Sequence, residues 1–259
     1  MADFLDTLTL DAKRTIAGDY YAIRIQCEHK PLSLRKSILG FNMVPVIAEI
    51  KLASPTLGII REDRDAEALA SSMEGGGAVG ISVLTEPKRF MGSLSAFIKV
   101  RKTVNLPLLM KDIFLSRIQI DAASAIGADA ILLIKALFDR GYCECDISDM
   151  IEYAHSKEIE VLLETHSEDE FSSTLDSEAD LVGINNRDLR TLNVDIDTTR
   201  KILQRINPEE KVVVSESGIK TPSEIRYLHT AGAQAFLVGS ALMTSDDVRG
   251  KVRELVTAL

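Results

Sequence analysis

The chain has 259 residues, 46% hydrophobic and 27% charged, a balance that suits a folded globular protein with a large core. A formal net charge of -9 excludes a broad nucleic-acid surface, which needs clustered Lys and Arg, yet leaves room for a few basic groups to hold a small anion. The strongest apolar run, AILLI at 130–134, falls far short of the roughly 18 residues that span a bilayer, so no membrane partner is expected.

The start, MADFLDTLTLDAKRTIAGDYY, is acidic and lacks the apolar core of a signal peptide, which points to the cytoplasm. Cys27, Cys143 and Cys145 are an odd number of thiols, as in a reducing compartment. No second Cys or His pair stands at zinc spacing beside the C-x-C of 143–145, so no metal is expected. Apolar positions Phe4, Leu5, Leu8, Ala12, Ile16, Tyr20 and Ile23 recur at steps of mostly three or four, which predicts a helical segment ahead of the first strand.

From residue 44 short Val/Ile/Leu-rich runs alternate with amphipathic stretches. Strands are expected near 44–51, 79–84, 107–111, 130–134, 159–164, 181–185, 211–215 and 235–238. Helices are expected near 64–74, 93–103, 116–126, 147–156, 167–176, 195–206, 221–231 and 245–258. Eight consecutive βα units with strands apolar on both faces close most simply into a (β/α)8 (TIM) barrel; a doubly wound open sheet is the alternative. The domain reading is one barrel over 1–259, with 1–43 as a helical extension and 44–259 as the barrel. Gly75, Gly76 and Gly77 follow a helix and precede a strand, the reverse of a phosphate-binding fingerprint, so they read as a helix C-cap and tight turn.

Barrel enzymes carry their chemistry at the C-terminal ends of strands. The first strand ends in Glu49 and Lys51, which strand alternation puts on one face. Alone they are as consistent with a structural ion pair as with a reactive one. Further on, the third strand ends in Lys111, the fifth in Glu164, the sixth in Asn185 and Arg187. The seventh ends in Ser215, Glu216, Ser217 and Gly218, the eighth in Gly239 and Ser240. The small residues of SESG and VGS leave backbone N–H groups open, as the recurrent phosphate site after the last two strands requires. Lysines and carboxylates around such an anchor suit proton transfer on a phosphorylated acyclic sugar. His166 reads as a non-catalytic rim residue, while His29, His155 and His229 fall on helical patterns and read as surface groups. Ser167 to Glu170 reads as an N-cap with first-turn acids, and Lys135, of opposite parity to Ile134, as pointing outward.

Taken together, IAEIKLASPTLG, VLTEPKRFMGS, LPLLMKDIFLS, LLETHSEDE, GINNRDLRTL, VVSESGI and AFLVGSALM, in that order from 44 to about 243, resemble the indole-3-glycerol phosphate synthase family of tryptophan biosynthesis. The resemblance implies closure of 1-(2-carboxyphenylamino)-1-deoxyribulose 5-phosphate to the indole, with loss of carbon dioxide and water and without a cofactor. It implies Lys111 as the general acid at the ribulose carbonyl, with Lys51 assisting beside Glu49. Glu164 would act as acid or base in the dehydration, and Asn185 would hold the departing oxygen. The anthranilate side falls to Arg187 and Ser54. Phosphate falls to Ser217, Gly218, Gly239 and Ser240, and the pocket lining to Glu216, Leu189, Phe90 and Leu237. Leu52, Met91 and Ile113 depart from the family's usual Arg, Gln or Asn, and Phe, with Phe114 offered as a substitute aromatic contact for Ile113. The rival readings are a sibling sugar-phosphate isomerase such as phosphoribosylanthranilate isomerase, and a non-catalytic phosphate-binding barrel subunit.

Overall fold

A computed structural model describes residues 3–62 and 65–259. The chain opens with α1 (Phe4–Ala17) and α2 (Leu34–Leu39), followed by β1 (Val46–Ile50) and a small hairpin of β2 (Ala53–Ser54) and β3 (Gly58–Ile59). Next come α3 (Ala66–Gly76), β4 (Gly80–Leu84), α4 (Leu94–Thr103), β5 (Leu108–Lys111) and α5 (Arg117–Ala125). Then follow β6 (Ala130–Ile134), α6 (Lys135–Asp139), α7 (Ile147–Ser156), β7 (Glu160–Thr165), α8 (Glu168–Thr174) and β8 (Leu181–Asn185). The chain ends with α9 (Asp197–Arg205), β9 (Val212–Glu216), α10 (Pro222–Thr230), β10 (Ala235–Val238), α11 (Ser240–Met243) and α12 (Val248–Val256).

Among the described residues eight parallel strands close into a barrel in the order β1-β10-β9-β8-β7-β6-β5-β4, so the open-sheet alternative falls. Strand alternation splits the core in two. Ile47, Leu109, Leu132, Leu162, Leu181, Val214 and Leu237 fill the barrel, whereas Ala48, Val83, Met110, Leu133, Leu163 and Val238 pack toward the helices. This double burial produces the unbroken apolar runs of the sequence. Ser93, Ser116, Ser167 and Thr221 cap α4, α5, α8 and α10 through their side chains. Gly77, at φ +96°, ends α3 in the left-handed conformation that a side chain rarely adopts, as the C-cap reading requires.

The N-terminal segment differs from one continuous helix. α1 ends at Gly18, and residues 22–33 run without regular structure before α2. α1 lies at the C-terminal rim of the barrel: the Tyr20 hydroxyl donates to the Thr85 carbonyl, and Arg89 pairs with Asp11 at 2.7 Å. α2 closes the opposite end, with Leu34 and Ile38 in the interior cluster and Ser33 bonded to Glu160 at the start of β7. His29 is therefore neither helical nor on the surface. It pairs with Asp129 at 2.6 Å, which also accepts from Arg101 at 2.8 Å, and so ties the crossing segment to the barrel wall.

Other differences are local. The helix expected from 64 begins at Ala66 behind the Asp65 cap; position 64 lies outside the described residues. The hairpin went unforeseen because two-residue strands carry no periodicity. The last expected helix, 245–258, is α12, which begins at Val248 behind the Asp247 cap, and the short α11 ahead of it was not expected. Lys135 opens α6, pairs with Asp139 and is largely covered rather than free in solvent. No helix among the described residues is long and apolar enough to cross a membrane.

Candidate active site

A cavity of about 660 Å³ opens at the C-terminal end of the barrel. Its wall includes Glu49, Lys51, Ser54, Phe90, Lys111, Glu164, Asn185, Arg187, Leu189, Ser217, Gly218, Leu237, Gly239 and Ser240. These residues come from loops and strand ends far apart in the sequence, brought together because the parallel strands all end at one rim.

Lys111 sits at the centre. Its Nζ lies 3.0 Å from Glu216 Oε2, 3.4 Å from Glu49 Oε2 and 3.9 Å from Glu164 Oε2. Burial works against the ammonium, but the three carboxylates, Glu216 foremost, outweigh it and hold the amine well above the ordinary lysine range. Lys51 Nζ lies 2.6 Å from Glu49 Oε1, so Glu49 is shared between two ammonium groups. Burial opposes its ionisation, and Lys51 and Lys111 overcome that and hold it below the usual carboxylate range.

Glu164 is also buried yet held low, by His166, Lys111 and the Asn185 amide in that order of effect. Glu216 behaves oppositely. It has no exposed surface, and burial pushes its carboxyl up despite Lys111, with the negative neighbours Glu164 and Glu49 adding to the rise. Glu216 therefore does not line the pocket as the sequence suggested; it lies beneath Lys111 as an anchor. Depth along a strand is not written in the sequence.

Two glycines make room for these acids. A Cβ on Gly239 would come within 2.3 Å of Glu49 Oε1, and one on Gly183 within 2.2 Å of Glu216 Oε1. At the far end of the cavity Ser217 and Gly218 both take positive φ, 67° and 86°, and the Ser217 carbonyl accepts from Asn186 Nδ2 at 3.0 Å. α11 begins beside them at Gly239 with no side chain capping it. This corner lines the cavity with small residues, together with Ile219 and Lys220, which the sequence analysis did not single out.

Arg187 Nη1 donates to the Leu192 carbonyl at 2.9 Å and reaches Thr56 Oγ1 at 3.4 Å, which braces it across the mouth. Ser54 Oγ accepts from Leu57 N at 3.2 Å and so shapes the β2–β3 turn. Phe4 and Leu8 of α1 supply apolar wall that the sequence reading did not assign. Ile113 reaches the cavity, but Phe114 packs on the helix side, so Phe114 supplies no substitute aromatic contact: adjacent residues face opposite ways. Met91 takes a positive φ of 53° just before Gly92, which fits against the Leu84 carbonyl where a Cβ would overlap at 2.4 Å.

Two buried groups lie near the rim; Asp112 has no counterpart in the sequence analysis, and His166 was expected there as a non-catalytic residue. Asp112 accepts from Tyr21 Oη at 2.9 Å, from Thr85 Oγ1 and from the Ile113 N–H; burial nonetheless pushes its carboxyl up to about 6. His166 lies against Glu164 rather than standing free at the rim, as its shared strand parity with Glu164 would have signalled.

The family model for indole-3-glycerol phosphate synthase matches residues 12–255. An indole-3-glycerol phosphate synthase of Methanocaldococcus jannaschii is 40% identical over 260 residues, 99% of this chain and 90% of that protein. One from Carboxydothermus hydrogenoformans is 42% identical over 237 residues, 90% of this chain and 88% of that protein. Among solved structures, the thiamine phosphate pyrophosphorylase of Pyrococcus furiosus superposes with a TM-score of 0.61 at 18% identity, over 87% of this chain and 97% of that one, a likeness of fold alone. With nearly its whole length matched at about this identity, the chain belongs to the indole-3-glycerol phosphate synthase family.

Proposed function

We propose that the cavity converts 1-(2-carboxyphenylamino)-1-deoxyribulose 5-phosphate to indole-3-glycerol phosphate with Lys111 as the principal acid. The observation that carries this is the ammonium of Lys111 held among Glu216, Glu49 and Glu164 at the cavity wall. An amine so surrounded stays protonated until a carbonyl oxygen takes its proton, which a general acid must do.

The substrate's phosphate lies at the Ser217, Gly218, Gly239 and Ser240 corner, and its carboxylate toward Arg187 and Ser54. Phe90, Leu189 and Leu237 enclose the ring. The ring carbon bearing the carboxylate attacks the ribulose carbonyl, forming the C–C bond as Lys111 protonates the oxygen. Loss of carbon dioxide restores the aromatic ring. The hydroxyl made from the carbonyl then leaves as water, taking its second proton from Lys111 once that amine has been recharged from solvent. Glu164, ionised at rest, accepts the proton released in this elimination, and Asn185 holds the departing oxygen. Lys51, paired with Glu49, keeps Lys111 from being drawn wholly to Glu49. No cofactor enters these steps.

Incubation of the purified protein with this ketose tests the reading, with indole fluorescence and carbon dioxide followed together. The expected result is one carbon dioxide per indole formed. Rearrangement of the sugar without release of carbon dioxide would favour the sibling isomerase and overturn it.

A further inference from the structure

His166 and Glu164 leave the end of β7 two residues apart and on one face. His166 Nε2 lies 3.1 Å from Glu164 Oε1, and Nδ1 lies 3.4 Å from Glu170 Oε2 in the first turn of α8. The His166 backbone N–H donates to the same Glu170 oxygen at 2.7 Å, which fixes that carboxylate against the ring. Both ring nitrogens are shut off from solvent and neither has a hydrogen-bond partner, so the ring meets the two carboxylates at ion-pair distance rather than through aligned hydrogen bonds. A neutral imidazole carries one N–H and one lone pair, so one of the two carboxylates would face a lone pair; the imidazolium offers each an N–H.

We propose that His166 is a positioning residue, doubly protonated between Glu164 and Glu170, that keeps Glu164 ionised so that it enters the reaction as a base. His166 is absent from the cavity wall and acts through Glu164; the inference rests on the role given to Glu164 above. Burial works against the imidazolium, but the two carboxylates outweigh it and bring the ring up to about 9. The other groups facing Glu164 do not replace it. Lys111 is divided among three acids, Asn185 is neutral, and Glu216 offers no positive charge. On the far side Lys135 acts on Glu170 rather than on Glu164.

The test compares kcat/KM against pH for the wild type, His166→Gln and Glu164→Gln. Gln keeps a donor of similar reach but no charge. The acid limb of His166→Gln is expected to move to higher pH by about one to three units, the effect of removing an adjacent opposite charge, with the plateau retained within a few fold. An unmoved limb, with Glu164→Gln inactive, would overturn the role of His166 and leave that of Glu164 standing. Full activity of Glu164→Gln would overturn both. Nitrogen NMR of the wild-type imidazole gives a reading independent of any variant's folding: two ring N–H groups at pH 7.5 are expected, and a single neutral tautomer would contradict the proposal.

Discussion

Lys111 Nζ donates to Glu216 Oε2 at 3.0 Å, and the second oxygen of Glu216 has no hydrogen-bond partner among the described residues. One carboxylate thus holds the lysine from beneath while Glu49 and Glu164 flank it. A four-carbon stem that would otherwise sample many rotamers is fixed in one direction, so the entropy of aiming the acid is spent in folding rather than at each turnover. Because burial already raises the carboxyl of Glu216, that group takes up little charge repulsion when the cluster changes protonation.

The two lysines are not equivalent. Lys51 touches Glu49 alone in this cluster, whereas Lys111 touches three acids, and Glu49 retains Lys111 at 3.4 Å when Lys51 is removed. Lys51→Met is expected to lower kcat by less than the ~10²-fold floor of a lost general acid. Steady-state assays of indole formation check this; a loss larger than that of Lys111→Met would reverse their assignment.

Gly239 is a space filled by a carboxylate. Ala at this position places its Cβ within 2.3 Å of Glu49 Oε1, so Glu49 must move and draw Lys51 and Lys111 with it. A misplacement on the order of 1 Å can cost ~10²-fold in rate, and a fall of about that size in kcat is expected with unaltered circular dichroism. Wild-type turnover in Gly239→Ala would show that the position of Glu49 does not matter.

The phosphate corner is tested by charge. Ser217 takes a left-handed φ of 67° that Asp tolerates, and Ser240 opens α11, where an acid is at no helical disadvantage, so Ser217→Asp with Ser240→Asp is expected to fold. Two like charges at about 4 Å cost on the order of 4 kcal/mol each at an effective dielectric of about 20. Calorimetric titration with the phosphorylated ketose is expected to show binding weakened by at least ~10²-fold. Unchanged affinity would move the phosphate elsewhere.

Stability carries the sign of His166. Its folded value, about 9, lies above its ordinary 6.5, so the folded state binds this proton more tightly than the unfolded chain. The stabilisation is full below about 6.5 and is lost as pH rises through about 9. Thermal melts at pH 7 and pH 10 are expected to show a larger drop for the wild type than for His166→Gln. Parallel drops in both proteins would mean that the ring is not charged in the fold.

Much of the barrel was legible in the sequence because each barrel strand is buried on both faces and so reads as an unbroken apolar run. Glu49 and Lys51 were placed on one face by alternation alone, and they meet at 2.6 Å. Three things were not legible, each for a physical reason. The N-terminal pattern continued through Tyr20 and Ile23, but α1 stops at Gly18 and the chain then crosses the barrel, where His29 finds Asp129 by a contact no local pattern records. Glu216 was legible as a polar strand end but not in its depth, since alternation sets a side chain's face and not how much of the next layer covers it. His166 was visible as a neighbour of Glu164, yet what charges it is Glu164 together with Glu170, an acid that the sequence accounts for as a helix-start residue.

Lys111→Met, measured for indole formation at saturating substrate with binding titrated separately, addresses the central claim most directly. Methionine keeps most of the stem's length and removes the proton. The account predicts that the variant binds the ketose and closes the ring ~10² to 10⁴-fold more slowly. Indole formation near the wild-type rate would contradict it.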